Sequence, residues 1–219
     1  MQRDDPIRTY KARRRLTTGQ AAAIDRLLPS YGLTVSAPFD RTAVYGREAP
    51  LVLEIGSGMG EATAAMAAAD PARDVLAVEV HTPGIGSLLR RIEDLGLPNV
   101  RVAEADGVDV LRPLAAGSVD EIRVFFPDPW PKSRHHKRRL LTADFADLVA
   151  DRLRPGGRLH VATDCVSYLE QTVRVLGGHA DLQVVSRERG SRPVTRFERQ
   201  GLDAGREPHD VVAVRTAAG

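Results

Sequence analysis

The sequence has little of what several classes of protein require. A single cysteine, Cys165, excludes an internal disulfide and favours a reducing compartment. No apolar run approaches the roughly 20 residues of a membrane-spanning helix, and the charged N-terminus lacks the apolar stretch of a secretory signal. The six histidines form no ligand-spaced cluster with cysteine or paired carboxylates. We therefore expect a cytoplasmic protein that binds neither a membrane nor a metal.

The remaining composition is that of an ordinary globular protein. Of the 219 residues, 42% are hydrophobic and 27% are charged, which is enough for one domain with a normal core. We expect a basic N-terminal arm with a short helix over residues 1–45, followed by a single domain over residues 46–219.

Basic residues are concentrated in three windows, although the formal net charge is only +2. Residues 1–15, 132–139 and 187–206 together hold 17 of the 31 Lys and Arg residues but only 5 of the 29 acids. The rest of the chain therefore carries 14 basic and 24 acidic residues. Any one window alone is equally explained as a solvated surface. An acidic body with three basic patches favours a nucleic-acid partner.

Apolar strand patterns alternate with helical patterns after residue 50. The predicted strands cover residues 51–55, 74–80, 100–106, 119–127, 158–164, 182–188 and 209–215. The predicted helices cover residues 19–28, 61–69, 88–95 and 140–153, and the stretch after 164 as far as 176. This alternation predicts an α/β fold with a mostly parallel, doubly wound sheet. The last two strands are expected to pair antiparallel, with a Pro/Gly turn at 154–157 and a loop over 189–208.

A glycine loop follows the first strand and precedes a helix. In EIGSGMG (54–60), Gly56, Gly58 and Gly60 allow sharp turns and a close approach of the backbone to a ligand. The spacing G-x-G-x-G differs from the G-x-G-x-x-G of dinucleotide-binding sites. The loop therefore predicts a ligand site without requiring a pyrophosphate.

Three acids stand at the ends of three successive predicted strands, where ligands bind in such sheets. Glu54 is placed to hold a cationic group, Glu79 to accept hydrogen bonds from ribose hydroxyls, and Asp106 to bind an adenine amino group. The plainer alternatives are an exposed strand-end acid for Glu54 and a helix or turn cap for Asp106, which Gly107 follows. A ligand with ribose, adenine, positive charge and no phosphate is S-adenosylmethionine, the predicted cofactor.

The fourth predicted strand runs into FFPDPWPKSRHHKRRL (125–140). Asp128 is expected at the carboxyl edge of the sheet, on a backbone restrained by the flanking prolines and next to Trp130. A rigid carboxylate beside an aromatic ring suits a flat base with N–H donors, and the basic run suits the phosphates that accompany it. Each part also has a purely structural alternative, as a cap, a core residue or a solvated surface.

These motifs resemble the bacterial tRNA (guanine-N7-)-methyltransferase family. The resemblance includes FFPDPWPK with its basic tail, RLTTGQ (15–20), LEIGSGMG (53–60), VEVHTPGIGSLL (78–89), RPGGRLHVATD (154–164) and RPVTRFERQG (192–201). It implies a Rossmann-like class I methyltransferase fold and methyl transfer from S-adenosylmethionine to N7 of the guanine at position 46, in the variable loop of tRNA. The family usually has lysine where Arg196 stands, and the tail after Gly205 departs from its pattern.

The resemblance also implies roles for individual residues. Asp128 corresponds to the catalytic aspartate, which lies close to the cofactor. Cofactor binding is expected from Glu54, Gly56, Gly58, Gly60, Glu79, Asp106 and Asp128. Substrate contacts are expected from Lys132, Asp164, Thr195, Arg196, Phe197 and Glu198. An RNA-contacting basic patch is expected from Arg134, Lys137, Arg138 and Arg139.

Three other functions stay open at this point. The D-P-W sequence is similar to the loop with which amino-group methyltransferases hold an exocyclic amine, although the proline after Trp130 and the basic tail favour guanine N7. A nicotinamide-dependent oxidoreductase would use the same fold. An RNA-binding module without activity is the third, and it leaves Glu54, Glu79 and Asp128 without a purpose.

Overall fold

Seven strands form one mixed sheet in the computed structural model, which describes residues 15–217. The strands are β1 Leu51–Ile55, β2 Asp74–Glu79, β3 Val100–Glu104, β4 Val119–Phe125, β5 Leu153–Thr163, β6 Leu182–Ser186 and β7 His209–Arg215. Their order in the sheet is β3-β2-β1-β4-β5-β7-β6. The five strands from β3 to β5 are parallel, and β7 runs antiparallel to both of its neighbours. This confirms the predicted doubly wound sheet with an antiparallel C-terminal strand.

Helices cover both faces of the sheet. They are α1 Thr18–Tyr31, α2 Arg41–Tyr45, α3 Glu61–Ala69, α4 Thr82–Leu95, α5 Gly107–Leu111, α6 Ala143–Arg152, α7 Val166–Gly177 and α8 Arg196–Asp203, with a 3₁₀ helix over Ser133–Arg138. The helices α1, α3 and α4 pack on one face and α5, α6 and α7 on the other. Each fully buried leucine at these layers contributes about 1.5–3 kcal/mol. Among the helices within residues 15–217, none is both long and apolar enough to cross a membrane.

The described part of the N-terminal segment is attached to the main domain. A capping box starts α1, since Thr17 and Gln20 each accept the other's backbone N–H. The amide of Gln20 then donates to Ser87 Oγ at 2.9 Å, which ties α1 to α4. Residues 1–14 of the predicted N-terminal arm and helix, which spans 1–45, lie outside the described residues.

Two sequence-based expectations for the C-terminal region are wrong. The stretch 189–208 is not all loop, because α8 occupies part of it behind a capping box formed by Thr195 and Glu198. Only Glu198 and Gly201 of this helix are buried, so it lacks the buried apolar stripe by which a helix is predicted from sequence. The predicted turn at 154–157 lies within β5, as a bulge where the pairing with β4 shifts register and Gly156 has a φ of 74°.

Candidate active site

Two adjoining cavities open at the carboxyl edge of the sheet. The larger, about 300 Å³, is bordered by the glycine loop, Glu54, Glu79 and the N-terminal turn of α8. The smaller, about 110 Å³, is bordered by Gly56 and by Asp106. Asp128 borders both cavities. The strand-end acids that the sequence singled out therefore meet around one site.

Backbone hydrogen bonds fix the glycine loop over the end of β2. Gly56 N donates to Val78 O at 2.8 Å, and Gly58 N donates to Glu79 Oε2 at 2.7 Å. Gly60 has a φ of 75°, and a Cβ there would lie 2.7 Å from the Leu88 side chain. The loop thus requires glycine for its conformation and for close packing against α4.

Gly84 has a packing role that the sequence did not reveal. It lies in the first turn of α4, where a Cβ would stand 2.3 Å from Gly58 O and 3.3 Å from the Glu79 side chain. The glycine loop therefore packs directly against the backbone of α4 at Gly84.

We expect Gly84→Ala to weaken binding of S-adenosylhomocysteine roughly tenfold, because a backbone carbonyl cannot rotate away from the added methyl and the strain is about 1–3 kcal/mol. Titration calorimetry measures the affinity. Gly177→Ala, in the last turn of α7, is the matched control because a Cβ there has nothing within 4 Å. It should leave the affinity unchanged. Wild-type affinity in the Gly84→Ala protein would contradict the packing role.

Glu54 is a buried acid with unused acceptor capacity. The residue is 2% exposed, and its Oε2 has no hydrogen-bond partner within the described part of the chain. Burial raises the pKa of Glu54 above its ordinary value, and the charge of Arg123 on the neighbouring strand offsets this only in part. Because Glu54 borders the larger cavity, a cationic group bound there would supply the missing partner.

Glu79 and Asp106 already accept backbone hydrogen bonds. Glu79 Oε1 accepts from Val80 N and His81 N at 2.7 and 2.9 Å, in addition to the bond from the glycine loop. An ionised carboxylate has about four acceptor sites, so capacity is left for a ligand. Asp106 caps α5, with Val108 N donating to its Oδ1 at 2.8 Å. The capping role that the sequence left as an alternative is therefore present, at a position that also borders the smaller cavity.

The loop that carries Asp128 has an unusual backbone. Phe126 and Trp130, on either side of Asp128, have φ values of 51° and 42°, in the left-handed region that bulky residues rarely adopt. Phe126 N donates to Ala162 O at 2.8 Å, and the Arg138 guanidinium lies 4.9 Å from the centre of the Trp130 ring. Such conformations cost of order 1–3 kcal/mol each and cluster at functional sites. Prolines alone do not account for the shape of this loop.

A buried ion-pair network supports the wall formed by α8. Arg192 donates to both oxygens of Asp210 at 2.8 and 2.7 Å and to Glu198 Oε2 at 2.6 Å. Burial alone would raise the pKa of Asp210, but its hydrogen bonds from Arg192 and His160 lower the pKa to about 2. The guanidinium of Arg192 also lies 5.2 Å from the centre of the Phe126 ring. Arg192 thus connects the α8 wall with the Asp128 loop, a role that sequence reasoning missed.

The expected substrate residues are split between the cavity surface and the interior. Arg196 and Phe197 are exposed and border the larger cavity beside Thr195. Glu198 is 1% exposed and paired with Arg189 and Arg192, so its carboxylate supports α8 from behind and does not face the cavity. The expectation that Glu198 contacts substrate is corrected accordingly.

The remaining polar candidates lie beyond the Asp128 loop. Asp164 is half-buried and paired with Arg206, whose Nε lies 2.7 Å from its Oδ2. Lys132, Arg134 and Lys137 are exposed on and before the 3₁₀ helix.

The structure places Arg139 in the interior, apart from the exposed residues of the expected RNA-contacting patch. Arg139 is 1% exposed, and its guanidinium donates four hydrogen bonds inside the protein, to acceptors on the Asp128 loop and on α7. Of the other residues expected in this patch, Arg134 and Lys137 are exposed and Arg138 is half-buried over the Trp130 ring.

Sequence comparisons identify close relatives. A family described as "Putative methyltransferase" matches residues 48–211. The chain is 50% identical over 215 residues to the tRNA (guanine-N(7)-)-methyltransferase of Streptomyces avermitilis, covering 94% of this chain and 74% of that protein. It is 49% identical over 214 residues to the tRNA (guanine-N(7)-)-methyltransferase of Nitrosospira multiformis, covering 94% and 93%.

Solved structures share the fold at low sequence identity. The 16S rRNA methyltransferase KamB superposes with a TM-score of 0.56 at 18% identity, covering 84% of this chain and 99% of that one. A geranyl diphosphate methyltransferase in complex with GPP and sinefungin superposes with a TM-score of 0.54 at 15% identity, covering 90% and 77%. These similarities confirm the Rossmann-like class I methyltransferase fold.

Proposed function

The chain belongs to the tRNA (guanine-N7-)-methyltransferase family, and on that premise we propose that it methylates N7 of the guanine at position 46, in the variable loop of tRNA. S-adenosylmethionine is the methyl donor in this family. The observation that supports the proposal most directly is the position of Asp128. Its carboxylate borders the cavity of the glycine loop and the smaller cavity beside Asp106, on a loop with two left-handed residues.

The residues of the larger cavity fit S-adenosylmethionine. The unsatisfied Oε2 of Glu54 suits the ammonium group, and the acceptor capacity left on Glu79 suits ribose hydroxyls. At Gly56 a Cβ would have nothing within 4 Å, so the loop leaves open space for a ligand against its backbone. When bound, the cofactor supplies a methyl group on a positively charged sulfur.

The protein's part in the reaction is to position the base and to stabilise charge. N7 of guanine has an in-plane lone pair and no proton, so no residue is needed as a general base. As N7 becomes alkylated, positive charge develops on the ring. A carboxylate that accepts the guanine N1–H and N2–H stabilises that charge, and Asp128 borders the cavities where the base would enter. Asp164 is the weaker candidate because it borders neither of these two cavities.

The substrate is drawn to the site by phosphate contacts of the exposed basic residues. Lys132, Arg134 and Lys137 lie on and immediately before the 3₁₀ helix that follows the Asp128 loop. Their placement beside the cavities would bring a polynucleotide to Asp128. Extraction of the guanine from its neighbours then allows in-line transfer.

Removing Arg134 and Lys137 together should reduce the salt dependence of tRNA binding. The logarithm of the association constant for tRNA falls linearly with the logarithm of the salt concentration. We expect the double alanine variant to make this slope shallower by roughly 1 to 2, because each lost phosphate contact removes about one unit. Filter binding at several salt concentrations measures the slope. The matched control is the double alanine variant of Arg41 and Arg154, which flank Asp120 at the opposite edge of the sheet. If both variants gave the wild-type slope, the proposed phosphate contacts would be rejected.

The proposed reaction is tested by incubation of the protein with S-adenosylmethionine and bulk tRNA, followed by mass spectrometry of the nucleosides. We expect 7-methylguanosine, and we expect it to disappear when a tRNA transcript carries adenosine at position 46. An N-methylated amino group in the product would point to the amino-group alternative. 7-Methylguanosine that persists after the change at position 46 would contradict the proposed site.

A further inference from the structure

Arg139 joins the loop that carries Asp128 to α7. Its Nε donates to Pro129 O at 2.9 Å, and its Nη1 donates to Ser167 O and Gln171 Oε1, both at 3.0 Å. Its Nη2 donates to Ser167 Oγ at 2.9 Å. The guanidinium also lies over the ring of Tyr168, 4.9 Å from its centre. One side chain therefore connects the middle of the Asp128 loop with the first two turns of α7.

The geometry of these contacts requires the arginine fork. All four acceptors of Arg139 are neutral oxygens, and they lie in different directions around a planar group. Burying a charge without a carboxylate partner is costly unless its hydrogen bonds are well satisfied. A lysine would keep the charge but has only a compact ammonium, which cannot reach all four oxygens. The shape of the group, more than its charge, accounts for its place in the interior.

The residues after Arg139 are held by the same helix. The hydroxyl of Tyr168 accepts from Leu140 N and Leu141 N at 3.0 and 3.2 Å. Gln171 Nε2 donates to Leu141 O at 2.8 Å. The side chain of Arg139 and the backbone of the two residues after it are thus held by α7. Arg134 and Lys137, earlier in the same basic run, are exposed.

We infer that Arg139 is a positioning residue for Asp128 and not a phosphate ligand. Pro129 directly follows Asp128, so the hydrogen bond from Arg139 to the Pro129 carbonyl restrains the backbone that orients the Asp128 side chain. The left-handed residues Phe126 and Trp130 flank this point, and such conformations persist only where the surrounding structure holds them. The inference rests on the proposed function for its catalytic consequence, although the clamp itself can be tested without methyl transfer.

We expect Arg139→Gln and Arg139→Lys to lower kcat for methyl transfer by about 30-fold each, because a misplacement of less than 1 Å at the reacting atoms suffices for a loss of that order. The KM for tRNA, the salt slope of binding and the affinity for S-adenosylhomocysteine should stay near the wild-type values. Trp130 is the only tryptophan of the chain, so its fluorescence reports on the loop. Both variants should shift its emission and increase its quenching by acrylamide.

Arg101 provides a matched control elsewhere in the fold. Its guanidinium donates to Pro98 O, Val100 O and Val44 O at 2.9 Å each and lies over the rings of Tyr31 and Tyr45. This is the same type of clamp, located on the edge strand β3. Arg101→Gln should lower the melting temperature but leave kcat and Trp130 fluorescence unchanged.

A second variant keeps the test decisive if Arg139→Gln does not fold. Gln171→Met removes one acceptor of Arg139, together with the bond to Leu141 O, without changing any charge. It should give a smaller loss of kcat in the same direction. The inference is overturned if Arg139→Lys restores kcat, or if the variants lose tRNA affinity and salt slope in place of kcat. Unchanged Trp130 fluorescence in a folded Arg139→Gln or Gln171→Met protein would also overturn it. If the wild type forms no 7-methylguanosine, the proposed function fails, while the fluorescence measurements still decide the clamp.

Discussion

Asp128→Asn should lower the single-turnover rate of methyl transfer to tRNA by about 10²–10³-fold. Asparagine keeps the shape of the side chain but removes its charge and replaces one acceptor with an NH₂ donor, which would face the N1–H and N2–H donors of guanine. The stabilisation lost with the carboxylate is largest when positive charge has developed on the guanine ring. The substitution should therefore lower the rate of the methyl-transfer step itself. Affinity for S-adenosylhomocysteine should change much less. Rapid-quench kinetics with nucleoside analysis, beside titration calorimetry, measures both quantities.

Asp164→Asn is the informative comparison for this prediction. Asp164 follows β5 as Asp128 follows β4, but Asp164 borders neither of the two cavities that Asp128 borders. We therefore expect a clearly smaller rate loss than for Asp128→Asn. A near-normal single-turnover rate in the Asp128→Asn protein would remove Asp128 from the mechanism. A larger loss in the Asp164→Asn protein would transfer the charge-stabilising role to Asp164.

Glu54→Gln should have opposite effects on cofactor binding and on stability. Loss of the carboxylate leaves the ammonium of the ligand without its partner inside the protein, which costs about 3 kcal/mol, or on the order of 100-fold in affinity for S-adenosylhomocysteine. The ligand-free protein should nevertheless melt a few degrees higher than the wild type, since a gain of about 1 kcal/mol corresponds to roughly 2–4 °C at this chain length. Calorimetric titration and thermal melts without ligand measure the two effects.

The sign of the stability effect follows from the raised pKa of Glu54. The folded protein binds the proton of this carboxyl more tightly than the unfolded chain does. Ionisation therefore lowers the free energy of unfolding as the pH rises from about 4, the ordinary value for glutamate, towards the folded pKa. Glutamine does not ionise, so the advantage of the variant should be absent at low pH and fully present above the folded pKa. A variant less stable than the wild type at neutral pH would contradict this account.

Glu121 is a matched control for which we expect the opposite effect on stability. It is also a buried glutamate, on β4, but it is paired with Arg73, Arg123 and Arg158. Burial alone would raise its pKa, but Arg123 and Arg158 outweigh burial and lower the pKa to about 2. The pairs therefore stabilise the fold above the ordinary pKa of glutamate, and that stability is lost as the pH falls towards 2. Glu121→Gln should lower the melting temperature at neutral pH and change cofactor affinity far less than Glu54→Gln does.

Much of the fold and part of the site were predictable because they depend on local patterns. The strand 51–55, the helix 61–69 and the strand 209–215 were predicted with the observed bounds, since short apolar runs and an alanine-rich stretch specify them locally. The carboxyl ends of parallel strands must meet at one edge, so Glu54, Glu79 and Asp128 were expected together and are found around adjoining cavities. The helix over 196–203 was missed because ion pairs hold it in place of an apolar stripe.

By itself, the sequence determined the alternation of strands and helices, the strand ends that carry acids, and the family to which the chain belongs. Only the tertiary structure decided which charged residues face the solvent. Arg138 and Arg139 are neighbours in one basic run, yet Arg138 lies over Trp130 at the surface and Arg139 is buried against α7. The physical reason is that burial depends on what packs across from a side chain. The α7 partners of Arg139 lie 28 and 32 positions away in sequence, and Glu198 is buried by arginines that precede its own polar helix.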